Sequence, residues 1–224
     1  RSSLAKMAAE GLKLPLERVN MSNPDTDTNP FDHSLVGSRG TYATGSAVIK
    51  AAEDARRQLL ELAAPVMKLK PEEMDTEDGY IFEIKHPENR QVWRRALGSY
   101  ASTVTTVLGK GRFEQDFTLS NFLMTFVEVE VDTATGKIKL TDVVQSAGCG
   151  QVISPASLEG QLHGALGAAG LDTAIFEGGV LDTDTGRMMN GNMIDYKWRT
   201  FNDLPSFANI TLDTPIPSHR FKAV

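Results

Sequence analysis

The sequence predicts an α+β protein, with helices packed on mainly antiparallel or mixed sheets, and three observations carry that expectation. Residues 41–69 repeat alanine and leucine at every fourth position. Residues 122–148 alternate valine with acidic side chains around a D-T-A-T-G turn. Residues 155–177 return to helical spacing, now rich in glycine and alanine, and the remaining tail breaks into short strands and turns.

The elements follow in order. Leu4, Met7, Ala8 and Leu12 share one face of an opening helix that should stop near Gly11 and Pro15. "RVNMS" is expected to be a short strand, and "NPDTDTNPFDHS" a polar, proline-punctuated loop. From about Thr41 to Leu69 a long helix is predicted. Ala47, Ala51 and Ala55 form a small-residue stripe that lets another element approach, with Glu53 and Arg57 as an i,i+4 pair. "GYIFEIK" reads as a strand, and "NRQVWRRALGSYASTVTTVL" as helical at first. In "NFLMTFVEVEVDTATGKIKLTDVVQSAG", Val127, Val129 and Val131 alternate with Glu128, Glu130 and Asp132. An antiparallel hairpin with one buried face is expected. The stretch 155–177 is predicted as a single helix. Two subdomains, 1–118 and 119–224, are a further expectation.

Composition narrows the function. At 224 residues with 41% hydrophobic and 23% charged side chains, the chain can fold around a sizeable core. A net charge of −6 argues against a nucleic-acid or anionic-membrane binder. With Cys149 the only cysteine, an internal disulfide and an all-cysteine metal site are both excluded. No apolar run approaches the ~20 residues of a membrane span, and the N-terminal residues lack a secretory apolar region. Position 1 is not methionine, which suggests a fragment or a processed chain.

Two stretches carry candidate binding chemistry. "GSRGT" ahead of the long helix can offer backbone N–H groups, the positive helix end, two hydroxyls and the Arg39 guanidinium to an anion. It lacks the Lys-Ser/Thr of a P-loop, and Thr41 could equally be an ordinary N-cap. "SPASLEGQLHGALGAAG" spaces Gly160, Gly164, Gly167 and Gly170 along one helical face, as close packing of another helix or a flat ligand would require. Gln161 stands near its first turn. The four histidines form no zinc-spaced pair, no G-x-S-x-G elbow is present, and Cys149 reads as a buried structural thiol. The D-T-D-T repeats at 25–28 and 182–185 lack an EF-hand's ligand set and are expected to be turns.

Three collinear segments resemble one family. "DTDTNPFDHSLVGSRGTYATGSAV", "VEVEVDTATGKIKLTDVVQSAGCGQVISPASLEGQLHGAL" and "NMIDYKWRTFNDLP" are similar to motifs of the xanthine dehydrogenase/aldehyde oxidase family of molybdenum hydroxylases. The resemblance implies part of the second, C-terminal molybdenum-cofactor-binding domain, truncated at both ends. It implies a molybdopterin, often a cytosine dinucleotide, and oxidative hydroxylation of an aldehyde, N-heterocycle or aryl substrate with water as oxygen source. It further implies 2Fe-2S and FAD groups on partner domains or subunits, an oligomer, and a cytoplasmic location. By the same resemblance, Gly37, Ser38, Arg39 and Thr41 lie against the pterin dinucleotide and its phosphates. Gln161 approaches the pterin, and Gly160 and Gly164 admit it. The chain would supply no metal ligand and no catalytic residue, because the family's catalytic glutamate falls beyond Val224. The isolated chain is therefore expected to be inactive. A cofactor-free scaffold of the same fold, or an unrelated phosphate-binding module, are the alternatives.

Overall fold

The computed structural model describes residues 1–33, 35–103, 106–114, 120–164 and 170–212. The chain divides into two compact units, Arg1–Leu119 and Ser120–Lys222.

The first unit is built on two helices, α1 (Ser2–Leu12) and α2 (Gly45–Met67). They approach closely because glycine stands at both contact points. A Cβ on Gly11 would lie 2.7 Å from the Ala52 Cβ, and one on Gly45 would collide with the Met7 side chain. Met7, Ala9 and Gly11 carry the burial of α1, so its inner face is set more by Met7 and Gly11 than by Leu4 and Leu12. Each helix ends in a left-handed lysine, Lys13 and Lys68.

"RVNMS" is not a strand. A 3-10 turn at Leu16–Arg18 leads into unpaired chain, because no neighbouring strand offers its hydrogen bonds. Strands β1 (Met74–Glu77), β2 (Tyr80–Glu83) and β3 (Arg90–Val92) form an antiparallel sheet in that order. The β1–β2 turn is Asp78-Gly79, both left-handed at φ 51° and 82°, the combination a two-residue hairpin of matching twist demands. The segment expected to begin as a helix begins instead as β3. Two single turns follow, α3 (Trp93–Ala96) and α4 (Tyr100–Thr103), while Val104 and Thr105 lie outside the described residues. Leu59, Leu60, Ala63, Met74, Ile81 and Ala96 make the core between α2 and this sheet.

The alanine stripe of α2 is occupied as its spacing predicts. Residues 108–111 lie across Ala47, Ala51 and Ala55 so closely that a Cβ on Gly109 or Gly111 would overlap the backbone of α2. Gln58 Nε2 donates to the Leu108 carbonyl at 3.0 Å, and the Lys110 N–H donates to Asp54 Oδ2 at 3.0 Å. Arg57 pairs with Asp54 and Glu61 in place of Glu53. The Lys110 N–H, and then Arg57, hold the Asp54 carboxyl below the usual carboxylate range.

In the second unit, β4 (Phe122–Val131) and β5 (Ile138–Gly148) form the expected hairpin, with a bulge at Glu128/Val129. Strand β6 (Ser206–Leu212) adds parallel to β5, giving the order β4-β5-β6. The two D-T-x-T-G turns are wired alike. Asp132 Oδ1 accepts from the Ala134 and Thr135 N–H groups, and Asp182 Oδ1 accepts from those of Asp184 and Thr185. In both, the glycine N–H returns to the aspartate carbonyl, so turn chemistry accounts for the motif. The Thr135 hydroxyl first, and the Ala134 N–H next, lower the Asp132 carboxyl. At Asp182 the Thr185 N–H and hydroxyl do the same.

Three carboxyls, Asp54, Asp132 and Asp182, thus have folded values below their unfolded ones. Their contribution to stability is complete above the unfolded value of about 4 and disappears as pH falls through the folded values. Thermal melts recorded downward from about pH 5 are expected to lose midpoint below about pH 4. Asp54→Asn should weaken that acid dependence; an unchanged pH profile would contradict it.

One expectation fails on this sheet. The face predicted to be buried is open on β4, with Val127, Val129 and Val131 all exposed. Alternation reports which side chains share a face, whereas burial needs a covering layer. The layer formed by α5 (Pro155–Gly164) and α6 (Asp172–Ile175) covers β5: Leu158 and Leu162 pack on Ala147 and Cys149, and Leu171 and Ile175 on Leu140 and Val143. Of the helix expected over 155–177, α5 and α6 are described, while residues 165–169, including Gly167, lie outside the described residues.

Candidate functional site

In the first unit the "GSRGT" loop ends on α2 in a strained way. Gly37 and the non-glycine Ser38 are both left-handed, at φ 76° and 55°, and Arg39 follows in the right-handed region. A left-handed serine costs about 1 kcal/mol, an expense typical of sites that must present backbone in one direction. Gly40–Thr44 then form one turn of π-helix that runs into α2, a local form that recurs at functional sites. Thr41 is not the N-cap: it lies within this turn, and no side chain caps the helix. The first turn carries no acidic residue, which leaves the positive helix end uncompensated from within. Gly37 and Ser38 are exposed, while Arg39 and Thr41 are half-buried. Buried and without a hydrogen-bond partner, Arg39 Nε is a spare donor at this end of the helix.

The surrounding loop is tied in place. Thr44 Oγ1 donates to Asp32 Oδ2 at 3.1 Å, so the "NPFD" segment is anchored at the helix start. Tyr42, buried, meets Phe113 edge-on at 6.2 Å, and Lys50 lies over that ring. A separate cavity of 420 Å³, lined by Leu14, Arg18, Tyr80 and Trp93 among others, shares no residue with the loop.

In the second unit, α5 turns Leu158 and Leu162 inward and leaves Gly160, Gln161 and Gly164 exposed. A Cβ added to Gly160 or Gly164 would meet nothing within 4 Å. Among the described residues no helix packs on this face. Beneath α5 lies a polar cluster that sequence reasoning missed. Asn209 Nδ2 is 2.6 Å from His163 Nε2, and the imidazole packs at a tilt against Phe207 with centroids 4.9 Å apart. Gln145, paired in register with Asn209, is fully buried with its Oε1 unpartnered. Only the period-two placement of Gln145 among Val143 and Ala147 hinted at it.

A second missed pair is Arg199 with Asp172. Their side chains are 6% and 3% exposed, and Arg199 Nε sits 2.7 Å from Asp172 Oδ1. Both terminal nitrogens of Arg199 lack partners. Cys149 is buried beside Leu158, in keeping with a structural thiol. Among the described residues no group of three or more His, Cys, Asp or Glu could hold a metal ion, and no helix is long and apolar enough to cross a membrane.

In the first unit the uncapped helix end with its spare guanidinium donor suits an anionic group; in the second, taken by itself, the open glycine face beside an exposed amide suits a flat one.

Comparison with known proteins gives this donor set a context. The model of the family described as "Molybdopterin cofactor-binding domain" matches residues 1–205. The xanthine dehydrogenase molybdenum-binding subunit of Escherichia coli O157:H7 is 28% identical over 222 residues, covering 97% of this chain and 29% of that subunit. The nicotine 6-hydroxylase large subunit of Paenarthrobacter nicotinovorans is 27% identical, covering 96% and 27%. Among solved structures, quinoline 2-oxidoreductase from Pseudomonas putida 86 superposes with a TM-score of 0.88 at 24% identity, over 99% of this chain and 29% of that one. The chain thus spans under a third of the relatives it matches. It belongs to the molybdopterin cofactor-binding domain family, that of the molybdenum-binding subunits of xanthine dehydrogenases and aldehyde oxidases.

Proposed function

We propose that this chain is one wall of the cofactor site in a molybdenum hydroxylase that oxidises an N-heterocycle or an aldehyde with water as the oxygen source. The observation that carries the proposal is the family match over residues 1–205, joined to the left-handed Gly37-Ser38 pair at an uncapped helix start. The relatives' names, a nicotine 6-hydroxylase and a xanthine dehydrogenase, support a heterocyclic substrate, and an aryl substrate belongs to the same chemistry. Bound, the molybdopterin supplies a two-electron acceptor at the substrate carbon.

This chain's own residues bind and orient. Arg39 offers its fork to a phosphate, with the N-terminal end of α2 and the Ser38 and Thr41 hydroxyls beside it. Gly160 and Gly164 leave room for a planar ring system, and the Gln161 amide reaches a pterin oxygen or nitrogen. A cytosine dinucleotide is the expected form of the cofactor, because a pyrophosphate gives the Gly37–Thr41 loop its anion. Iron–sulfur and flavin groups on partner subunits, an oligomeric assembly and a cytoplasmic location complete the proposal. The general base is expected beyond Val224, which leaves the isolated chain inactive.

Arg39→Ala tests the cradle in the assembled enzyme. Molybdenum and cytosine-nucleotide content should fall roughly tenfold at unchanged yield, as loss of a charge-assisted hydrogen bond implies. Full content in the variant would overturn the role of Arg39. A wild-type assembly free of both metal and nucleotide would overturn the cofactor reading and favour a scaffold.

A further inference from the structure

The outer face of the β4-β5-β6 sheet is largely apolar, ordered in rows, and open along β4 and β6. The register sets Phe126 beside Val144 and Ala208, Met124 beside Ser146 and Ile210, and Phe122 beside Gly148 and Leu212. These rows project from the side opposite Val143, Gln145 and Ala147, which α5 and α6 cover. Phe122, Met124 and Phe126 are 79%, 61% and 62% exposed, and Ile210 and Leu212 about half exposed. A patch of this extent marks an interface.

The pattern of β4 says what kind. Its first six residues, FLMTFV, are almost continuously apolar, the signature of a strand covered on both faces, whereas VEVEV alternates as a strand covered on one. The inner-face residues Leu123 and Val127 are exposed as well. Nevertheless, among the described residues β4 stands at the edge of its sheet, with no strand paired on its outer side. A long, apolar edge strand bare on both faces is an interior strand whose neighbours are elsewhere.

We infer that the outer face of this sheet, and the free edge of β4, are covered by the rest of the molybdenum-binding subunit, in polypeptide outside these 224 residues. Over two thirds of each relative's length has no counterpart in this chain, enough to supply both a strand and a covering layer. A second copy is a poorer occupant. Antiparallel pairing of β4 with itself would close the edge but leave both faces of the sheet uncovered. A membrane is poorer still, since the net charge is −6.

A photo-crosslinking amino acid at position 124, and separately at position 210, in the intact enzyme complex tests this. The expected result is a crosslinked peptide from the molybdenum-binding subunit outside this segment at both positions. Crosslinks to a second copy of the segment, crosslinks to another kind of subunit, or none at all would each overturn it. The readout is independent of cofactor loading, so it can fail while the cradle stands, or hold while the cradle falls.

Discussion

Replacing Arg199 with methionine is expected to destabilise the second unit by about 4 kcal/mol, because it strands a carboxylate that the fold has already desolvated. Asp172 is 2% exposed, and Arg199 is its ion-pair partner. Removing the guanidinium leaves that charge with no water to replace the lost bond. The double variant R199M/D172L should recover most of the loss, since an apolar pair of similar volume restores packing without a desolvation cost. Equilibrium denaturation of the single and double variants measures both. A single variant costing under about 1 kcal/mol, the range of an exposed pair, would show that the ion pair is not buried in solution.

The second large effect is steric. Gly111→Ala should cost about 3 kcal/mol, at the upper end of overpacking penalties, because its new Cβ would overlap the backbone of α2 at Ala47 and Ala51. No flexible side chain stands there to move aside. Gly160→Ala is the control: its Cβ enters open space, and alanine is the better helix former by roughly 1 kcal/mol. That variant should leave the chain equally or more stable while lowering molybdenum retention in the assembled enzyme. Thermal melts of both, with metal analysis of the second, check the contrast. Equal destabilisation by the two alanines would refute it.

What could be read in advance divides along the range of the causes. The alanine stripe of α2 was legible because its spacing is local and small side chains ask for a close neighbour. The neighbour itself, residues 108–111, was not named, since it lies some 50 residues away. The 132–136 turn was legible from its own five residues. The tail was expected to hold short strands, but the pairing of β6 was not legible, because its partner β5 is 64 residues distant and parallel pairing leaves no turn to betray it. "RVNMS" has strand composition without a strand beside it, and Val127, Val129 and Val131 have a core pattern without a core over them. For the site, Gly37, Ser38 and Arg39 stood out as a glycine-flanked helix start. The π-helical turn that replaced the expected Thr41 cap depends on how Tyr42 and Ala43 bury. Arg199 and Asp172 gave no signal at all, since charge alone says nothing of burial.

The strap at 108–111 also bears on how fast the first unit comes apart. It closes its bond to Asp54 across 56 residues, so the chain must bring α2 and the small sheet together before this contact repays its loop entropy. Such a contact belongs late on the folding path. Damage to it should appear as faster unfolding with nearly unchanged refolding, and Gly111 would act as a latch on the unit's lifetime as much as a term in its stability.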